Sequence, residues 1–337
     1  MRVEQDDASA LLDGLDLDAL LGALTRGRGY ETALRDPPGR RGWSDVTPAS
    51  LSFQQLDQRI DRLARLLSIN KGQPGAGVAI MAPLGPESIV AMLASLRAGL
   101  SPLMLPLHGN ELELLRLVEA SGAVMALGVS RIGPLRPLLI LRNLALRAFS
   151  TRFVGGFGPE VPDGVAPLDA LMAHAAPHPL PALATRPTIQ VADAATMSGP
   201  LPLSERDILA KALELSRLLK PVTSSRIVTT LVGGDLAALA SGPGMAMLAG
   251  IELLPLGLFN LGDLQACIEG GRHVHLVLPG EMEPALAHSR LADHPALASV
   301  VFVRRAGERA FPTLGRPDLA IVDIEARSAE AITVARR

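Results

Sequence analysis

His273 and His275 flank Val274, and in a strand that spacing turns both imidazoles to one side, where they could begin a metal site. No third ligand stands at a diagnostic spacing, so the pair reads as hydrogen-bonded or solvated strand-end histidines rather than as ligands. His108 precedes a helix start and could cap it or line a cleft; His174, His178, His288 and His294 carry no pattern. The single cysteine, Cys267, shares a helical apolar pattern with Leu264 and Ile268, the setting of a buried structural thiol. Only three of the 32 basic residues are lysines (Lys71, Lys211, Lys220), which leaves few candidates for a catalytic amine. No serine sits in a Gly-x-Ser-x-Gly elbow, and Ser241-Gly242-Pro243-Gly244 lacks the flanking order. Two small polar clusters remain. One is Thr196-Met197-Ser198-Gly199-Pro200, a hydroxyl-and-glycine turn expected between a strand and a helix. The other is Gly233-Gly234-Asp235 at a strand end, where Asp235 suits a helix N-cap.

The elements that must position these groups are clearest from Ser50 to Val129. Ser52 and Gln55 have capping-box spacing, and Phe53, Leu56, Ile60, Leu63, Ala64 and Leu67 then fall on one helical face. A Gly/Pro-rich turn precedes the apolar run Val78–Met81. A second helix from about Pro86 stops at Gly99, and Asn110 with Glu113 opens a third before the run Ala123–Leu127. Short apolar strands alternating with helices predict an α/β fold of layered, mostly parallel sheets covered on both faces. Further on, Thr188–Val191, Arg226–Val232, Ile251–Leu254, Val274–Leu278 and Ser299–Val303 read as strands. Ser204–Leu219, Leu236–Leu248, Leu261–Glu269 and Met282–Arg290 read as helices. The expected organisation is an N-terminal arm (1–45), a first α/β subdomain (46–190), a second (191–303), and a C-terminal strand with a polar tail (304–337).

The string L-S-F-x-x-L-D, then V-A-I, AMLASLRAG, P-L and SGA, in this order and spacing, resembles the opening of the adenylate-forming superfamily. That superfamily holds acyl-CoA synthetases, aryl-CoA ligases and nonribosomal adenylation domains. The resemblance can be followed loosely to Val303, and Phe153–Met172 is similar to the strand and turn before the family's nucleotide loop. It implies two subdomains like the N-terminal domain of acyl-CoA synthetases. The C-terminal domain, with its catalytic lysine, would need roughly another hundred residues and is expected to be lacking.

In such a family the Thr196–Pro200 segment would be a loop whose hydroxyls and N–H groups cradle the ATP phosphates. Thr196, Ser198 and Gly199 are kept, while the second hydroxyl pair, the extra glycine and the lysine are absent and Pro200 offers no donor. The family's aromatic-Gly-x-Thr-Glu segment is absent, and Tyr30, the single tyrosine, lies far upstream. Its Thr-Gly-Asp aspartate is echoed only by Gly233-Gly234-Asp235. Should a nucleotide or acyl-adenylate bind, the expected residues are Thr196, Ser198, Gly199, Gly233, Gly234 and Asp235; no catalytic residue and no metal ligand is assigned.

Two functions follow as expectations. One is a degenerate, non-catalytic ligand-binding or assembly module. The other is an AMP-forming acyl or aryl acid ligase (carboxylate and ATP to acyl-adenylate) completed by a separate polypeptide. ATP or AMP and Mg²⁺ are expected only if the residual site works; an acyl or nucleotide ligand and a protein partner or second copy are the partners the reading allows. A net charge of −2 and 3% aromatic residues argue against nucleic-acid binding. One cysteine, the acidic N-terminus and the Gly/Pro breaks in the apolar stretch from Leu236 argue for a cytoplasmic protein without a transmembrane segment. Arg131–Arg152 carries five arginines and no acid. It reads either as a solvated helix face or as a basic surface for a membrane or an acidic partner.

Overall fold

The computed structural model describes residues 12, 14–70, 75–174, 179–180, 183, 185–193, 196–308, 310, 316 and 318–337. Parts of the expected arm, of the 71–77 turn and of the linker around His178 lie outside them. The strands are β1 (Thr32–Arg35), β2 (Ser50–Ser52), β3 (Gly77–Met81), β4 (Ser101–Met104), β5 (Ala123–Val129), β6 (Phe153–Phe157), β7 (Ala166–Pro167) and β8 (Ile189–Asp193). They continue with β9 (Ser198–Leu203), β10 (Ser225–Thr229), β11 (Glu252–Pro255), β12 (His273–Pro279), β13 (Leu297–Arg305), β14 (Ala320–Ser328) and β15 (Ala331–Arg336).

Two sheets result. The first is ordered β7-β6-β5-β3-β4-β8-β9, the second β15-β14-β13-β12-β10-β11-β1-β2. Pairing is parallel except for β8 with β9, β14 with β15, and β1 with β2, each at an edge. Mostly parallel strands covered on both faces are therefore what the apolar runs encoded.

Alternation along the strands shows how the layers stack. In β3, Val78 and Ile80 face a core shared by both sheets, while Ala79 and Met81 face a separate outer cluster. In the second sheet Ile227, Val277 and Val301 join the shared core, and Val228, Leu276, Leu278, Val300 and Phe302 face outward to another. Helices Phe53–Asn70, Pro86–Arg97 and Glu205–Leu219 lie in the shared layer. Pro86–Arg97 is buried from Pro86 to Leu96, as a helix between two sheets must be.

The capping signals are realised. Ser52 N–H donates to Gln55 Oε1 (2.9 Å) and Gln55 N–H to Ser52 Oγ (3.2 Å). Asn110 with Glu113, and Ser204 with Asp207, close the same reciprocal pair. All six apolar residues named on the first helix face are buried.

Three expectations change. Residues 304–337 hold two strands rather than one strand and a tail, because Ala331–Arg336 folds back on β14. The Leu236–Leu248 segment is α-helical to Leu239, passes through a π-turn at Ala240–Gly244 where Pro243 lacks an N–H, and resumes at Met245–Ala249. The sheets also exchange strands across the expected boundaries. β1 and β2 join the second sheet although they precede residue 53, and β8 with β9 closes the first sheet across residue 190.

Candidate functional site

The hydroxyl turn lies between two antiparallel strands, not between strand and helix. β8 ends at Asp193, β9 begins at Ser198, and the helix starts only after β9. Ala194 and Ala195 lie outside the described residues. Thr196 N–H donates to Asp193 Oδ1 (3.1 Å), an aspartate closing a turn on its own backbone. The Thr196 and Ser198 hydroxyls bond each other at 2.7 Å, and Ser198 N–H reaches back to Thr196 Oγ1 at 3.4 Å. Gly199 has φ +129°, and a Cβ there would stand 3.0 Å from the Val191 carbonyl oxygen. The Gly199–Pro200 peptide is cis. Met197 lies over Gly109, which seats the turn against the loop after β4.

The second cluster follows β10. Leu84 N–H, in the loop after β3, donates to Val232 O (3.1 Å), so loops at the carboxyl ends of the two sheets' central strands touch. Gly234 sits against the Met104 side chain at the end of β4, and a Cβ at 234 would lie 2.6 Å from Met104 Cβ. Asp235 caps the Leu236–Leu239 turn, accepting Ala238 N–H at 2.9 Å. Burial pushes its carboxyl above the usual range against the pull of the helix N–H groups, and the charge of Asp193 pushes it further. Thr196, Ser198 and Gly199 thus form one turn and Gly233, Gly234 and Asp235 another, with the two in electrostatic contact through Asp193.

Tested against a triphosphate, this donor set fits poorly. The Thr196 and Ser198 N–H groups are engaged, Pro200 has none, and the Asp193 carboxylate closes the turn. The N-terminus of the Glu205–Leu219 helix is filled by its own cap and by Glu205 and Asp207. Among the described residues no three His, Cys, Asp or Glu side chains group as a metal site.

The remaining candidates resolve into structure. His275 is buried, with Nδ1 2.8 Å from Ser299 Oγ and Nε2 3.2 Å from Ser225 Oγ on the neighbouring strands. Burial, helped by His273, pushes its pKa down to about 4, whereas His273 itself is exposed. Cys267 is buried and its thiol is pushed up to about 11, far from a nucleophile's range.

Two carboxylates escaped the sequence reading. Asp193 stands three residues before Thr196, a spacing that could have marked the turn. Glu205 is buried where two helices begin. Its Oε2 accepts Leu17 N–H (2.9 Å), its Oε1 has no partner, and burial pushes its pKa up to about 7. An acid in a first helical turn is ordinary, so only the approach of Leu17 sets it apart.

Residues 30–149 match the family model described as AMP-binding enzyme. No curated protein matches the sequence. The fold is that of adenylate-forming enzymes. The Mycobacterium smegmatis MbtA apo structure superposes with a TM-score of 0.75 at 19% identity, covering 98% of this chain and 61% of that one. The Brucella canis acyl-CoA synthetase gives 0.74 at 18%, covering 98% and 62%. The anthranilate CoA ligase AuaEII in complex with anthranoyl-AMP gives 0.72 at 13%, covering 93% and 60%. The resemblance to the adenylate-forming superfamily is thereby shown, in sequence over residues 30–149 and in fold over nearly all of the chain. The chain spans about three fifths of the length of these structures.

Proposed function

We propose that this chain is a non-catalytic member of the adenylate-forming fold, a ligand-binding or assembly module whose old nucleotide cleft no longer handles a triphosphate. The turn at Thr196–Gly199 carries the reading. Its hydroxyls bond each other, its first N–H is held by Asp193, and a proline follows. Adenylation builds negative charge on phosphorus and on departing pyrophosphate, and a loop that aids it must offer free donors or cations. Here Asp193 and Asp235 supply the opposite field. The likeness in fold supports an occupant of acyl or acyl-adenylate type, carried over from the family alone.

Titration calorimetry of the full chain with ATP–Mg²⁺, AMP and carboxylic acids tests the reading. No heat with ATP–Mg²⁺ at millimolar ligand is expected. Pyrophosphate release by the purified chain with any acid of the panel would overturn it. Release that requires a second polypeptide would establish the split acid ligase instead.

A further inference from the structure

We propose that the outer face of the Pro137–Arg147 helix, with Phe149 just beyond its end, docks the protein onto an anionic lipid surface. The inner face of this helix is committed to the core: Leu138, Leu141 and Leu144 are buried, and Leu138 and Leu141 lie close over Gly128 and Gly156 of the first sheet. The outer face carries polar residues, but exposed leucines stand among them. Leu139 and Leu146, seven residues apart, lie on one line along the helix, and Leu146 is 75% exposed. Phe149 is 96% exposed. Three exposed large apolar side chains, two on one helix line and one just past its end, are more than scattered surface residues.

Arg142 and Arg147 flank that line on either side, and Arg131, Arg136 and Arg152 extend the charge. Among the described residues the carboxylate paired with this group is Glu111, 3.1 Å from Arg147. Arg131, Arg136 and Arg142 donate to the carbonyl oxygens of Arg41, Gly133 and Asp163, contacts that orient guanidiniums without neutralising them. The segment 131–152 contains no acid, on a chain whose net charge is −2, so the excess is local.

An apolar ridge bordered by arginines is the geometry of a helix lying in a bilayer interface. Leucine and phenylalanine enter the acyl boundary while long basic stems reach the headgroup phosphates. A lipid surface fits better than an acidic protein, because the side chains project from a convex helix rather than line a groove. The attachment is peripheral; among the described residues no helix is long and apolar enough to cross a membrane.

Co-sedimentation of the full chain with vesicles tests this, using phosphatidylcholine alone and an equal mixture with phosphatidylglycerol. Partitioning into the mixed vesicles is expected to exceed that into phosphatidylcholine by about ten-fold and to fall with added salt. The L146S/F149S variant should lose about ten-fold in partitioning with its circular dichroism and Tm unchanged, since both side chains are solvent-exposed. R136Q/R142Q/R152Q should abolish the preference for the anionic lipid. Equal binding to both vesicles, no binding, or undiminished binding by L146S/F149S would overturn the proposal. Binding to polyglutamate without binding to vesicles would also overturn it, in favour of an acidic protein.

Discussion

Two segments after first-sheet strands have opposite characters. Ala82–Gly85, after β3, is buried throughout, hydrogen-bonds the loop after β10 through Leu84, and feeds a helix between the sheets. Ser88 Oγ accepts Gly85 N–H (3.0 Å) and donates to Pro83 O (2.8 Å). In the same first turn of helix, Glu87 meets Arg40, which also pairs with Asp36, all three buried. Burial works against the Arg40 charge and the two carboxylates outweigh it. Thr196–Gly199, after β8, is largely exposed and spends its polar groups on itself. One turn is buried in the packing between the sheets; the other is held to the body of the fold by Met197 and leaves its hydroxyls exposed. The two turns of one sheet thus differ in how far their polar groups are committed to the rest of the molecule.

The contrast can be broken by substitution. Arg40→Ala should cost about 3–5 kcal/mol in urea unfolding, because it strands Asp36 and Glu87 without a cation. A loss below about 1 kcal/mol would mean the triad is not what fixes the Pro86–Arg97 helix.

Glu205, at the far end of the β8–β9 hairpin, should show itself through pH. Its pKa in the folded protein is raised from 4.5 to about 7. The stability it contributes is therefore fully present below pH 4.5 and lost as pH rises through 7. Glu205→Gln should raise the unfolding free energy from urea titration over wild type at pH 8, by at most about 3 kcal/mol, with little change at pH 4.5. A pH-independent difference would show that the carboxyl does not titrate in the folded state.

Ser88→Ala should cost about 1–2 kcal/mol, from the cap and the buried Pro83 carbonyl left without a donor. Thr196→Ala and Ser198→Ala, on the exposed turn, should each stay within about 0.5 kcal/mol of wild type and leave the ATP–Mg²⁺ titration silent. A binding signal lost in either variant would restore the cradle.

What was legible in the sequence follows from distance along the chain. The capping boxes at Ser52/Gln55, Asn110/Glu113 and Ser204/Asp207 are written within four residues, and the apolar face from Phe53 to Leu67 repeats inside one helix. The site residues were legible as two clusters. Their state was not, because it depends on Asp193, whose charge reaches Asp235 only in the folded chain. His275 illustrates the same limit: its partners, Ser225 and Ser299, come from strands some 50 and 24 positions away. The allegiance of β1 and β2 was hidden for a like reason, since short edge strands take their sheet from whatever they pair with.

The pairing of Leu34 with Leu253 has a bearing on biosynthesis. A ribosome must deliver most of the chain before β1, already able to pair with β2, finds its parallel neighbour β11. Until then the early strands have only half of their shared core, and the first sheet waits for β8. Folding of this topology is expected to be slow, with its closing steps after synthesis and a window in which chaperones would find exposed apolar surface.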